Sequence, residues 1–138
     1  MRILKTRFFA KEAEDHGLSD ESLSKAIQEV VGGLVDAELG GNLYKKRIAI
    51  GSKGKSGGLR SLLVYKASKE IIFCVYLFSK KESDNISQKQ LQQLKLLAKA
   101  LLTMNDEDLK KAIKNEEIQE VILSEESKKN STRKKDGK

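Results

Sequence analysis

The apolar positions of this chain change period twice along its length. Ile3 and Leu4 open a run that predicts a first strand. Arg7 to Asp15 reads as a short helix with Phe8, Phe9 and Ala13 close to one face, ended by Gly17. Ser19 is a favourable N-cap for a second helix, and Asp20 and Glu21 fall in its first turn, where the positive end of the helix dipole favours acids. Leu23, Ile27, Val30 and Val31 recur at three- and four-residue spacing, a core-facing stripe that stops at Gly32-Gly33. Leu34 to Asn42 is expected to be a connector turning at Gly40-Gly41.

From Leu43 the period drops to two. Tyr44, Ile48 and Ile50 share one strand face and Lys45 and Arg47 the other, a two-sided pattern expected at the margin of a sheet. Beyond a glycine-rich loop, Leu59 to Tyr65 and Ile71 to Phe78 are apolar on both faces, which predicts central strands covered on both sides. The short link Ala67-Ser68-Lys69 makes these two an antiparallel pair. Period 3.6 then returns. Ser87 with Gln90 three residues on has the spacing of a capping box, followed by the stripe Leu91, Leu94, Leu97, Ala98 and Leu101. Asn105, ahead of Asp106, Glu107 and Asp108, marks another helix start with Leu109, Ala112 and Ile113 as its apolar face. Ile118 to Leu123 reads as a short strand or an arm. The expected class is α+β: an N-terminal strand and helix pair packed on an antiparallel sheet, with C-terminal helices.

Composition narrows the function. A chain of 138 residues fits one domain without covalent staples. The single cysteine, Cys74, excludes an internal disulfide and lies in an apolar run, as a buried inert thiol does. No stretch approaches the ~18 apolar residues of a membrane span, and no basic-then-apolar leader opens the chain, so a cytoplasmic location is expected. Charge is the sharper signal. Between Lys45 and Lys80 nine cations meet one acid, Glu70, an excess larger than the +7 of the whole chain. A region of this kind suits a polyanion. Its cations lie on strand-like runs and a loop rather than on an amphipathic basic helix, which favours nucleic acid over a membrane surface.

The loop Gly51-Ser52-Lys53-Gly54-Lys55-Ser56-Gly57-Gly58 resembles a nucleotide-binding phosphate loop only in part. The glycine required five residues before Gly54 is replaced by Ala49, and a strand, not a helix, is expected to follow. Its glycines still allow a phosphate close to the main chain, with Lys53 and Lys55 as point charges; a plain hairpin loop with solvated lysines is the competing reading. Arg60 tips the balance. It stands at the start of a strand apolar on both faces, where a guanidinium needs a carboxylate or a phosphate. Lys80 ends the next apolar strand on the face of Tyr76 and Phe78. The single histidine, His16, is accounted for by its place at a helix end. No His, Cys and carboxylate set has zinc-ligand spacing, so neither a metal nor a small-molecule cofactor is expected.

Taken together, several segments resemble the RelE/ParE superfamily of toxins from bacterial type II toxin–antitoxin systems, and its RelE-type branch in particular. They are Lys5-Thr6-Arg7-Phe8-Phe9-Ala10, Gly17-Leu18-Ser19-Asp20, Leu39-Gly40-Gly41, Tyr44-Lys45-Lys46-Arg47-Ile48-Ala49, Gly54-Lys55-Ser56-Gly57-Gly58-Leu59-Arg60 and Phe78-Ser79-Lys80-Lys81-Glu82 with Asp84-Asn85-Ile86. Lys-Ser-Gly-Gly-x-Arg is the most specific of them. The resemblance implies a RelE-like toxin domain over residues 1–104, a helical extension over 105–123 packed on or near it, and a disordered basic tail over 124–138.

It also implies an activity. RelE-like toxins are ribosome-dependent endoribonucleases, mRNA interferases that block translation when a ribose 2′-hydroxyl attacks the adjacent phosphate. By that resemblance Arg60 would hold the scissile phosphate, Lys53 or Lys55 would act as base or electrostatic stabiliser, and Lys80 or Lys81 would support the leaving group. Lys45, Lys46 and Arg47 would grip RNA, a role that rests on charge alone. The implied partners are a ribosome carrying mRNA and a cognate antitoxin, often of helix-turn-helix type. An antitoxin segment packing on the sheet or across the helices is also expected, to cover the apolar faces of the central strands and to silence the cationic groove. The resemblance departs at Asn85-Ile86-Ser87, where RelE has a tyrosine. Two other functions fit the same fold: a ParE-like inhibitor of DNA gyrase and a non-catalytic RNA-binding module.

Overall fold

A computed structural model describes residues 1–50, 58–80 and 85–122. Strand β1 (Arg2–Thr6) leads into helices α1 (Arg7–His16) and α2 (Asp20–Val31). Strands β2 (Ala37–Gly40), β3 (Leu43–Ile48), β4 (Leu59–Lys66) and β5 (Ile71–Ser79) follow, the last two joined by one 3-10 turn at Ala67–Lys69. Helices α3 (Gln88–Thr103) and α4 (Asp106–Lys114) and strand β6 (Ile118–Glu120) complete the described chain.

The helix boundaries have identifiable side-chain causes. Thr6, Ser19, Ser87 and Asn105 are N-caps whose side-chain oxygens accept the backbone N–H three residues on. Ser87 and Gln90 form the full capping box. Gly17 closes α1 in the left-handed conformation, φ 71°, which a residue with a Cβ adopts at a cost. Helix α4 has only nine residues, so it depends on its cap, where Asn105 Oδ1 accepts from Asp108 N–H at 2.8 Å. Asn105→Ala is expected to lower stability by about 1 kcal/mol, measured as a lower denaturation midpoint with an unchanged denaturant slope.

The strands form one sheet in the order β2-β3-β4-β5-β1-β6. The α+β architecture matches the expectation, with three differences in detail. β1 enters between β5 and β6 and runs parallel to β5, so the sheet is mixed rather than wholly antiparallel. The segment after α2 is not a plain connector: Ala37–Gly40 pairs with β3 through a turn in which Gly40, Gly41 and Asn42 all take positive φ. That added strand moves the margin outward, and β3 lies inside the sheet.

Both faces of the central strands are covered by the chain's own helices. On one face Leu59, Leu63, Ile72, Cys74 and Leu77 pack with Phe9 and Ala13 of α1 and Leu23, Ile27 and Val30 of α2. On the other Leu62, Val64, Phe73 and Val75 pack with Leu94, Ala98 and Leu101 of α3 and Leu109 and Ala112 of α4. The expectation that an antitoxin segment covers these faces of the sheet is therefore corrected: the chain's own helices do so. Residues 106–120 belong to this architecture, because α4 and Ile118 enter the second core and β6 pairs with β1. The proposed tail at 124–138 lies outside the described residues.

Candidate nucleic-acid interface

Strand alternation and one irregularity decide which cations meet. In the β3–β4 register Lys45 lies opposite Leu62 and Arg47 opposite Arg60; in the β4–β5 register Arg60 lies opposite Phe78. The pairing of β5 slips by one residue, since Leu62 pairs with Tyr76 and Leu63 with Cys74, leaving Val75 as the extra residue of a bulge. Before the bulge Ile72 and Cys74 face α1 and α2; after it Tyr76 packs with the α3 and α4 side. The bulge thus brings Phe78 and Lys80 onto the face of Arg60. Without it, strict alternation would point both toward the other core.

The outcome is a cleft of about 510 Å³ lined by Asp36, Ala37, Lys45, Arg47, Arg60 and Lys80. Four of the cations expected from the sequence therefore converge. Arg60 is the deepest, 7% exposed, and its Nη1 donates a long 3.4 Å hydrogen bond to the Gly58 carbonyl. Two guanidiniums directly opposite on adjacent strands repel, an arrangement that sheets ordinarily avoid. Lys53, Lys55, Lys81 and the loop over 51–57 lie outside the described residues.

Lys46 stands apart. It projects from the other face of β3 and is 2% exposed, with Nζ 2.7 Å from Glu29 Oε1 and 3.1 Å from the Leu34 carbonyl oxygen. Its geometry is that of a brace between β3 and α2, which corrects its grouping with Lys45 and Arg47. His16 closes α1 beside Glu12, at 3.6 Å, and Cys74 is fully buried, which pushes its thiol up. Among the described residues no group of three or more metal-ligating side chains gathers, and no helix is long and apolar enough to cross a membrane.

Asp36 is a cleft residue that the connector reading missed. Its carboxylate accepts from the Arg47 backbone N–H at 2.6 Å and from Arg47 Nε at 3.1 Å. Partial burial raises the Asp36 pKa, but the backbone and side-chain hydrogen bonds from Arg47, with the charges of Arg47 and Lys46, outweigh it and hold the carboxyl below its usual range. A folded-state pKa lowered in this way gives stability that is fully present above the unfolded value, about 3.9, and is lost as pH falls through the folded one. Asp36→Asn should therefore be less stable than wild type at pH 6, and the gap should close in acid. Thermal melts from pH 6 to 2 check this; a gap that widens toward pH 2 refutes it.

A search of curated proteins found no match to this chain. The family model for the RelE toxin of the RelE/RelB toxin–antitoxin system matches residues 1–121, a span that takes in the six strands and four α-helices of the described residues and the four cations of the cleft. The chain therefore belongs to the RelE family, as the toxin of a toxin–antitoxin system whose partner is an antitoxin.

Proposed function

We propose that the chain is a ribosome-dependent endoribonuclease that cleaves mRNA and so blocks translation. The observation that supports this reading is the convergence of Lys45, Arg47, Arg60 and Lys80 on one cleft, with two arginines facing each other across β3 and β4. Like charges held together on a rigid sheet lower their energy when a polyanion enters.

In the proposed reaction a ribose 2′-oxygen forms a bond to the adjacent phosphorus while the bond from phosphorus to the 5′-oxygen breaks. The 2′-hydroxyl proton passes to a base, and the departing oxygen takes up a proton. Arg60 suits the phosphate itself: its fork donates to two oxygens at once, its charge is permanent, and its strand setting fixes it before substrate arrives. A guanidinium cannot accept the proton, so that role falls to a lysine, with Lys53 and Lys55 the sequence candidates. Lys80, with Lys81 beside it in sequence, would support the leaving oxygen. Lys45 and Arg47 would hold RNA backbone, and Arg47 would do so with part of its charge neutralised by Asp36.

The test is induced expression with growth curves, together with primer extension on a translated message. Growth arrest with new ends at codon boundaries is the expected result. Arrest with intact message and damaged DNA would favour the gyrase-inhibitor reading, and no arrest from folded protein would leave an RNA-binding module. A companion measurement addresses Lys45. Lys45→Ala should weaken RNA engagement and reduce the slope of log affinity against log salt by about one contact's worth; an unchanged slope would remove Lys45 from the interface.

A further inference from the structure

Three aromatic rings extend from the cleft along the same face of the sheet. Phe78 lies opposite Arg60 in the strand register. Its centroid is 5.8 Å from that of Tyr76, with the planes tilted by 49°. Tyr76 in turn is 5.1 Å from Phe8, and those two planes are only 10° apart. Exposure rises outward along the row, from 5% at Phe78 through half-buried Tyr76 to 47% at Phe8. The row ends in a flat ring that stacks on Tyr76 and is about half open to solvent.

Phe8 does not belong to the core that its helix builds. Phe9, about 100° further round the helix, is fully buried with Ala13 against the sheet. Phe8 instead reaches Tyr76 on the face that carries the cleft. Tyr76 is fixed from a second element, because its hydroxyl accepts a hydrogen bond from Gln90 Nε2 at 3.0 Å, and Gln90 is the capping-box residue of α3. The stack is therefore held by α1, β5 and α3 together. Its setting joins the two things that single-stranded nucleic acid needs: cations for the backbone and, beside them, a rigid aromatic face for a base.

We propose that Phe8, backed by Tyr76, is a stacking platform for one nucleobase of the RNA whose phosphate lies at Arg60. This inference rests on the ribonuclease reading above. A phenyl ring has no hydrogen-bonding group, so the platform positions the message without choosing among bases, apart from favouring the larger stacking area of purines. Its contribution is not electrostatic and does not vary with salt, unlike that of Lys45.

The test compares wild type, Phe8→Ala and Phe8→Leu by single-turnover cleavage on ribosomes programmed with intact messages or with messages made abasic at one nucleotide near the cut. Phe8→Leu keeps apolar cover over Tyr76 but lacks the flat ring, and melting temperatures accompany each variant. Both variants should cut the intact message with an efficiency lower by about 5- to 150-fold. At one abasic position wild type should fall to the variants' level, and the variants should lose nothing more. Wild-type rates from both variants, or an equal loss by the variants on every abasic message, would overturn the proposal. Loss in Arg60→Ala with Phe8→Ala silent sinks the platform and leaves the ribonuclease standing. If wild type cuts no message, both readings fall together.

Discussion

Arg60→Ala will stay folded, will no longer arrest growth on induction, and will cut programmed message about 10²- to 10³-fold more slowly. The size of the effect follows from where the charge sits. Arg60 is on β4, a central strand, and is 7% exposed, so on the proposed reading its guanidinium would act on a phosphate with little water to screen it and little reorganisation to make. The fold should tolerate the loss because the rest of β4 keeps its pairing with β3 and β5 and its place in both cores. Arg60→Lys separates charge from shape: it retains a cation but loses the planar fork, and it should recover only part of the rate. Primer extension, single-turnover kinetics and a melting curve on each variant decide the matter. Wild-type cleavage by a folded Arg60→Ala protein would exclude Arg60 from the chemistry.

Lys46→Ala should do the reverse, lowering stability by about 3 kcal/mol and leaving the salt dependence of RNA engagement unchanged. Lys46 and Glu29 form a polar link between β3 and α2, with the Leu34 carbonyl as a third member, beside the apolar packing of Ile48 in the same core. Removing the lysine leaves Glu29 with the loss of its 2.7 Å partner, although the 28% exposure of that side chain lets water relieve some of the loss. A paired change to apolar residues, Lys46→Met with Glu29→Leu, should restore most of the stability, because neither charge is then stranded. Chemical denaturation of the two singles and the double gives the coupling directly. If Lys46→Met lowered the salt slope as Lys45→Ala is expected to, Lys46 would be an RNA contact after all.

These two residues show how far the sequence could be read. Helix limits were legible because Ser19, Ser87 and Asn105 act locally, through bonds to backbone three residues away. The position of Lys46 was legible too, in hindsight: period two sets it with Tyr44 and Ile48 on the apolar side of β3, but clustered charge obscured the alternation. Strand β2 was hidden because four residues reading Ala-Glu-Leu-Gly have little strand preference and are held by pairing to β3. With it went Asp36, whose role depends on that hairpin. The bulge at Val75 left no mark, since every residue from Ile71 to Phe78 is apolar or aromatic and a slip of register changes no pattern. The stack of Phe8 on Tyr76 was out of reach for the same reason, because it joins residues far apart in sequence through that slip.

The place of β1 in the sheet has a consequence for the order in which the molecule is assembled. β3, β4 and β5 are consecutive in the chain and can pair as soon as they exist, so the strands that carry Lys45, Arg47 and Arg60 are assembled from near neighbours. β1 is made earlier than these strands yet must wait for them, since Arg2 registers with Ile71 and Leu4 with Glu120. Closing such distant contacts costs chain entropy before any pairing repays it, so this closure is expected to be the slow step. During synthesis the cationic meander is therefore present before the sheet is closed. Helix α1, which continues directly from β1 and carries Phe8, is seated only with that late closure.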